Sequence, residues 1–150
     1  MMERTFVSAS PEETRAFAAS LAPLLPENCF IALFGKMGMG KTEFVRGLCS
    51  ALVPGARLSS PTYTVLNVYS SGKIKVNHFD MYRISDEDSL ESTGFYDVIR
   101  NGVTVCEWSE NVPFALPDKY LAVRFTAPSG SSRRIELKTI GAETYADLGY

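Results

Sequence analysis

The stretch Gly35-Lys36-Met37-Gly38-Met39-Gly40-Lys41-Thr42 constrains this chain more than any other. It has the G-x-x-x-x-G-K-[ST] spacing of a phosphate-binding loop. A polyphosphate needs many N–H donors at close range, and glycines let the backbone approach it with no Cβ in the way. Successive amides and the N-terminus of the next helix then point at the anion. The flanks supply that context. Cys29-Phe30-Ile31-Ala32-Leu33-Phe34 is an apolar run suited to a buried strand, and Phe44, Val45, Leu48 and Leu52 follow the loop at helical spacing. A strand–loop–helix unit of this kind places the chain in the α/β class. The expected architecture is a three-layer P-loop NTPase fold, with a central mixed sheet flanked by helices.

Residues Gly35 to Glu43 are the expected nucleotide contacts. Lys41 is placed to reach the β- and γ-phosphates, and Thr42 to set its hydroxyl on Mg²⁺. Such a site also needs a carboxylate near the metal, usually at the C-terminal end of a neighbouring strand. Two positions qualify. Glu107 follows the apolar run Val103-Thr104-Val105-Cys106, and Asp80 follows Val76-Asn77-His78-Phe79, which alternates. Either acid can hold the metal while the other orients the attacking water. Thr62, in Ser60-Pro61-Thr62, lies in the first loop after the P-loop helix, where a γ-phosphate-sensing switch segment belongs; a plain serine/threonine turn fits it equally. Trp108, the lone tryptophan, adjoins Glu107 and suits either stacking on the base or a place in the core. His78 reads as structural. Arg83 and Arg100 are weaker phosphate candidates, and Arg133-Arg134 reads as a solvated strand edge.

Around this centre the chain alternates helix and strand signals. Ser10-Pro11-Glu12-Glu13 opens a helix, with Ser10 as N-cap and Glu13 closing a capping box; Phe17, Leu21, Leu24 and Leu25 form its apolar face up to Pro26. Residues 63–69 and 73–79 form an expected hairpin across a turn at 70–72, so the sheet is not purely parallel. A short acidic helix follows, capped by Ser85 and Asp88 and stopped by Gly94. Strands over 120–125 and 133–140 close the chain. Residues 141–150 read as a frayed tail of a single domain spanning 1–150.

Composition narrows the function classes. The net charge is −2 with no Lys/Arg tract, which disfavours a free-standing nucleic-acid binder. Three cysteines without framework spacing read as small buried hydrophobes in a reducing compartment. No apolar stretch approaches the ~18 residues of a membrane span, and the N-terminus carries no signal-peptide core. A cytoplasmic protein is expected. The guanine-reading pattern Asn/Thr-Lys-x-Asp is absent, which favours ATP and ADP over guanine nucleotides.

These motifs together resemble the TsaE (YjeE) family, the ATPase of the bacterial machinery for threonylcarbamoyladenosine on tRNA. The resemblance rests on Leu33-Phe34-Gly35 through Lys41-Thr42 and on Ser60-Pro61-Thr62-Tyr63-Thr64. It extends through His78-Phe79-Asp80-Met81-Tyr82-Arg83, Leu90-Glu91 with Gly94, and Glu107-Trp108. It covers roughly residues 10 to 126. It implies an Mg²⁺-dependent ATPase subunit that binds a TsaB–TsaD pair, touches tRNA only indirectly and needs no membrane. By matching motifs it implies Thr42 and Glu107 as Mg²⁺ ligands, Thr62 in the switch-like loop, Asp80 as an essential acid near the γ-phosphate, and Trp108 beside the adenine. Two positions depart from the family pattern: Lys36 stands where an acid is usual, and Met39 where alanine is usual. A small-molecule P-loop kinase and a nucleotide-gated interaction module with negligible turnover are the competing readings.

Overall fold

The computed structural model describes residues 1–149. In chain order the strands are β1 (Glu3–Ser8), β2 (Cys29–Phe34), β3 (Leu66–Ser71), β4 (Ile74–Asp80), β5 (Val103–Glu107), β6 (Tyr120–Ser129) and β7 (Ser132–Ile140). The helices are α1 (Pro11–Leu21), α2 (Lys41–Leu52), α3 (Glu87–Glu91) and α4 (Phe95–Val98). All seven strands form one sheet in the order β1-β7-β6-β2-β5-β4-β3. Strand β2 pairs parallel with β5 and β6, and β4 pairs parallel with β5. The β3–β4, β6–β7 and β1–β7 pairs are antiparallel. The fold is the expected α/β P-loop architecture: a parallel centre with antiparallel edges.

The central strand explains the layering. Every residue of β2 is buried, and its side chains alternate between two cores. Cys29, Ile31 and Leu33 pack with Phe17 and Leu21 of α1 and with Phe44, Val45 and Leu48 of α2. Phe30, Ala32 and Phe34 pack on the other face with Met81, Leu90 of α3, Phe95 of α4 and Val112. A parallel strand covered on both faces needs apolar side chains in both directions, which is why this run lacks alternation.

Helix α1 starts as its sequence requires. The Ser10 hydroxyl accepts the Glu13 amide at 3.1 Å, but the Glu13 carboxylate accepts from the Ala9 amide, one residue earlier than a capping box demands. The helix ends at Leu21 and continues as a 3-10 turn over Ala22–Leu24, because Pro23 cannot donate the next helical bond. In α3 the cap is Asp86, whose carboxylate accepts the Ser89 amide, and not Ser85. The first hairpin strand begins at Leu66, three residues later than its β-rich composition suggests. Residues 62–65 form a turn instead, in which the Val65 amide donates to the Pro61 carbonyl.

Two regions depart from expectation. Strand β1 has a polar, charged sequence with no apolar alternation, yet it pairs along β7 from Glu3↔Lys138 to Ser8↔Arg133. The segment expected to fray is instead docked: Tyr145–Leu148 forms a 3-10 turn capped by Thr144 and Asp147, with Tyr145 and Leu148 buried in the core. Tyr150 lies outside the described residues.

Cys29, Cys49 and Cys106 are buried free thiols, and burial pushes each up to about 12. They are packing residues.

Helices α1 and α2 touch at Gly47. A Cβ there would lie 2.2 Å from the Arg15 carbonyl oxygen. Beside this contact the Arg15 guanidinium pairs with Glu43, at the start of α2. The expected result of Gly47→Ala is a loss of about 1–3 kcal/mol, the usual cost of overpacking, read as a lower urea midpoint at unchanged m-value.

Candidate functional site

Three loops meet at the C-terminal edge of the parallel strands, the usual place for a ligand in an open α/β sheet. The first runs from β2 to α2. Gly38 and Gly40 adopt φ of 83° and 100°, in the left-handed region that glycine enters without strain. Gly40 then caps α2, so the first amides of that helix face the loop. The second loop, from α2 to β3, carries Ser60 and Thr62. The third, after β5, carries Trp108 and Glu110.

These loops border a cleft of about 550 Å³. Met37, Gly38, Gly40, Lys41, Thr42, Glu43, Thr62, Asp80, Glu107 and Trp108 line it, so most of the expected site converges. The sheet register accounts for the acids. Asp80 and Glu107 are direct partners in the β4–β5 ladder, so both carboxylates leave the same face at the same strand ends. Gly35, Lys36 and Met39 instead border a shallower neighbouring depression with Glu110 and Arg124. The Lys36 charge is therefore not set in the cleft itself. Arg83 lies over the Tyr63 ring, its guanidinium carbon 4.8 Å from the centroid, and it does not line the cleft; neither does Arg100.

Lys41 is 5% exposed. Its ammonium donates to the Gly35 carbonyl at 2.5 Å and lies 3.9 Å from the centroid of the Trp108 ring. Burial pulls its pKa below the ordinary lysine value, while Glu110, Glu107 and Asp80 pull it back up. The loop thus holds a partly desolvated cation among acids. Asp80 is tethered: Oδ1 accepts the Tyr82 amide at 2.9 Å, and Oδ2 accepts the Thr62 hydroxyl at 3.3 Å. The Thr62 hydroxyl also shares a 2.7 Å bond with Ser60. The switch-like loop and the acid therefore form one unit. Val65 ends that unit with φ 68°, and its carbonyl accepts the Asp80 amide at 2.9 Å. A β-branched residue in the left-handed region is strained by about 1–3 kcal/mol.

Further residues surround the cleft that were assigned no functional role from sequence. His78 donates or accepts at 2.5 Å to Glu107. Glu110 accepts the Gly35 amide at 3.1 Å. Ser10, Pro11 and Thr14 at the start of α1 border the cleft, as do Ser131 and Arg133 at the β6–β7 turn. No motif spacing links residues 10–14, 131 and 133 to the loop; only the fold brings them there. Arg133, read from sequence as a solvated edge residue, belongs to the cleft wall.

A family model described as threonylcarbamoyl adenosine biosynthesis protein TsaE matches residues 8–135. The chain belongs to the TsaE family. The TsaE protein of Nostoc sp. is 33% identical over 144 residues, covering 93% of this chain and 88% of its own length. That of Bacillus subtilis is 29% identical over 142 residues, covering 94% and 89%. That of Treponema pallidum is 32% identical over 130 residues, covering 86% and 96%. The TsaE-family likeness therefore extends past residue 126, where the motif match ends. The crystal structure of Bacillus subtilis YdiB superposes with a TM-score of 0.75 at 26% identity, covering 94% of this chain and 87% of that one. Membership ties the chain to threonylcarbamoyladenosine biosynthesis on tRNA. No helix among the described residues is long and apolar enough to cross a membrane.

The Trp108 indole lies against the ammonium of Lys41, the P-loop lysine. Tripolyphosphate alone is therefore expected to change Trp108 fluorescence as ATP does, and adenosine to leave it unchanged. A response to adenosine equal to that of ATP would place the ring at the base instead.

Proposed function

We propose that the chain binds ATP with Mg²⁺ in this cleft and hydrolyses it to ADP. In this reading it is the cytoplasmic ATPase subunit of tRNA threonylcarbamoyladenosine modification, acts through a TsaB–TsaD pair and meets tRNA only indirectly. The observation that carries the reading is the placement of Lys41. Its ammonium stands among Asp80, Glu107 and Trp108 in a cleft that Ser10, Thr14 and Arg133 also line. A volume of this order suits a nucleotide. The terminal phosphates belong at the Lys41 end, and the nucleoside belongs between the start of α1 and the β6–β7 turn.

The donor set fits Mg²⁺. This ion takes one or two protein oxygens and completes its shell with water and substrate phosphate. Among the described residues no cluster of three or more His, Cys, Asp or Glu exists that would enclose a metal without substrate. Thr42 and Glu107 would hold it. When bound there, the ion would supply positive charge that offsets the charge of the phosphates. The chain's own residues do the rest. Lys41 already stands partly stripped of water, so little reorganisation is needed when the phosphates arrive. The loop amides from Met37 to Thr42 bind phosphate oxygens. Asp80, fixed through both oxygens, is the acid positioned to orient the attacking water.

Among the described residues Arg133, next to the β6–β7 turn, is the only arginine that lines the cleft, and its guanidinium donates to the Gly130 and Ser132 carbonyls. A stabilising group supplied in trans is worth about 10³–10⁵ in rate, which accounts for dependence on a partner. The expected behaviour is slow phosphate release by the chain alone and clear acceleration by TsaB–TsaD. Asp80→Ala is expected to bind ATP nearly as tightly as the parent and to lose the accelerated turnover. Equal steady-state rates with and without the pair, or full acceleration in Asp80→Ala, would overturn the mechanism.

Lys41→Met tests the cost of the buried cation. The expected outcome is loss of ATP binding in calorimetry together with an unchanged or higher Tm, because the charge is held partly out of water for function. A clear drop in Tm would show that the ammonium contacts stabilise the fold.

A further inference from the structure

His78 lies on β4, one row before the acids. It pairs with Val105 in the ladder, while Asp80 pairs with Glu107. Residues two apart on a strand share a face, so His78, Asp80 and Glu107 all project toward α2. His78 is 5% exposed, and its Nε2 lies 2.5 Å from Glu107 Oε2. An ionised carboxylate only accepts, so Nε2 carries the proton and donates. Glu107 Oε1 makes no hydrogen bond among the described residues. Glu107 also borders both the main cleft and a smaller cavity behind it, of about 70 Å³, lined by Thr42, Ser59, Tyr69 and His78. One oxygen of the carboxylate is therefore anchored from behind, and the other is left to the cleft.

We infer that His78 is a positioning residue for Glu107: its Nε2–H fixes one carboxylate oxygen so that the other meets the metal beside Thr42. The inference rests on the proposed role of Glu107 as a Mg²⁺ ligand. The alternative is that His78 fills space in the wall of the core. The two differ in what replaces the imidazole. Glutamine reproduces a donor near the Nε2 position; leucine keeps volume and removes the donor; asparagine keeps an amide that falls short. Losing an outer-sphere partner of a metal ligand typically costs about 10–100-fold in metal affinity.

The test is calorimetric ATP affinity of the full chain with and without Mg²⁺, with Tm measured for each variant. The parent is expected to bind ATP more tightly with Mg²⁺. His78→Leu and His78→Asn are expected to lose about 10–100-fold of apparent Mg²⁺ affinity and to keep metal-free ATP binding; His78→Gln is expected to retain both. In the Glu107→Gln background His78→Leu should remove nothing further. A full Mg²⁺ increment in His78→Leu or His78→Asn overturns the positioning role and leaves the metal role of Glu107 standing. If the parent itself shows no Mg²⁺ increment, that metal role fails and the inference with it. Should His78→Leu not fold, His78→Asn against His78→Gln decides.

Discussion

Strand β2 has no side that faces water, and the position of everything else follows from that. Its six residues divide between two cores. One core requires α1 and α2 on the first face, and the other requires α3, α4 and the turns after β5 on the second. With β5 and β6 as parallel neighbours, β2 can end only in the middle of the sheet's C-terminal edge. The phosphate loop is thereby delivered to a fixed point. Glu107 arrives one strand away and Asp80 two strands away, both by register.

The site departs from what stability alone would choose. Lys41 is a cation held largely out of water. Val65 and Trp108 are non-glycine residues with φ of 68° and 59° at the boundaries of two of the three loops. Such features persist only where surrounding contacts over-determine them. Here the contacts are visible: the Val65 carbonyl on the Asp80 amide, and the Trp108 ring against both Lys41 and Tyr82. The strain sits next to the groups proposed to bind phosphate.

What could be read from sequence depended on how local the cause was. The P-loop, the buried runs of β2 and β5 and the two acids each follow from spacing within about ten residues. The antiparallel hairpin followed from alternation, but its start did not, because the turn at Pro61–Val65 outweighs the β-propensity of Tyr63 and Thr64. Strand β1 was invisible, since its pairing with β7 compensates for a sequence with no apolar face. In the tail, Tyr145 and Leu148 look isolated in sequence, and only the core they enter gives them a role. Ser131 and Arg133 reach the cleft by tertiary placement alone, and nothing in their immediate neighbours marks them.

The pairing of β1 with β7 has a consequence for the order of assembly. Among the described residues, 3–8 find their only ladder partner in 133–138. A chain emerging from a ribosome must therefore make roughly 125 further residues before β1 can dock, about 6–25 s at ordinary rates. During that time the strand is an unpaired template. Glu3 and Arg4 put charge on it, a common guard against pairing with another chain. Strand β1 can therefore dock only once β7, which also carries Arg133 of the cleft wall, has been made.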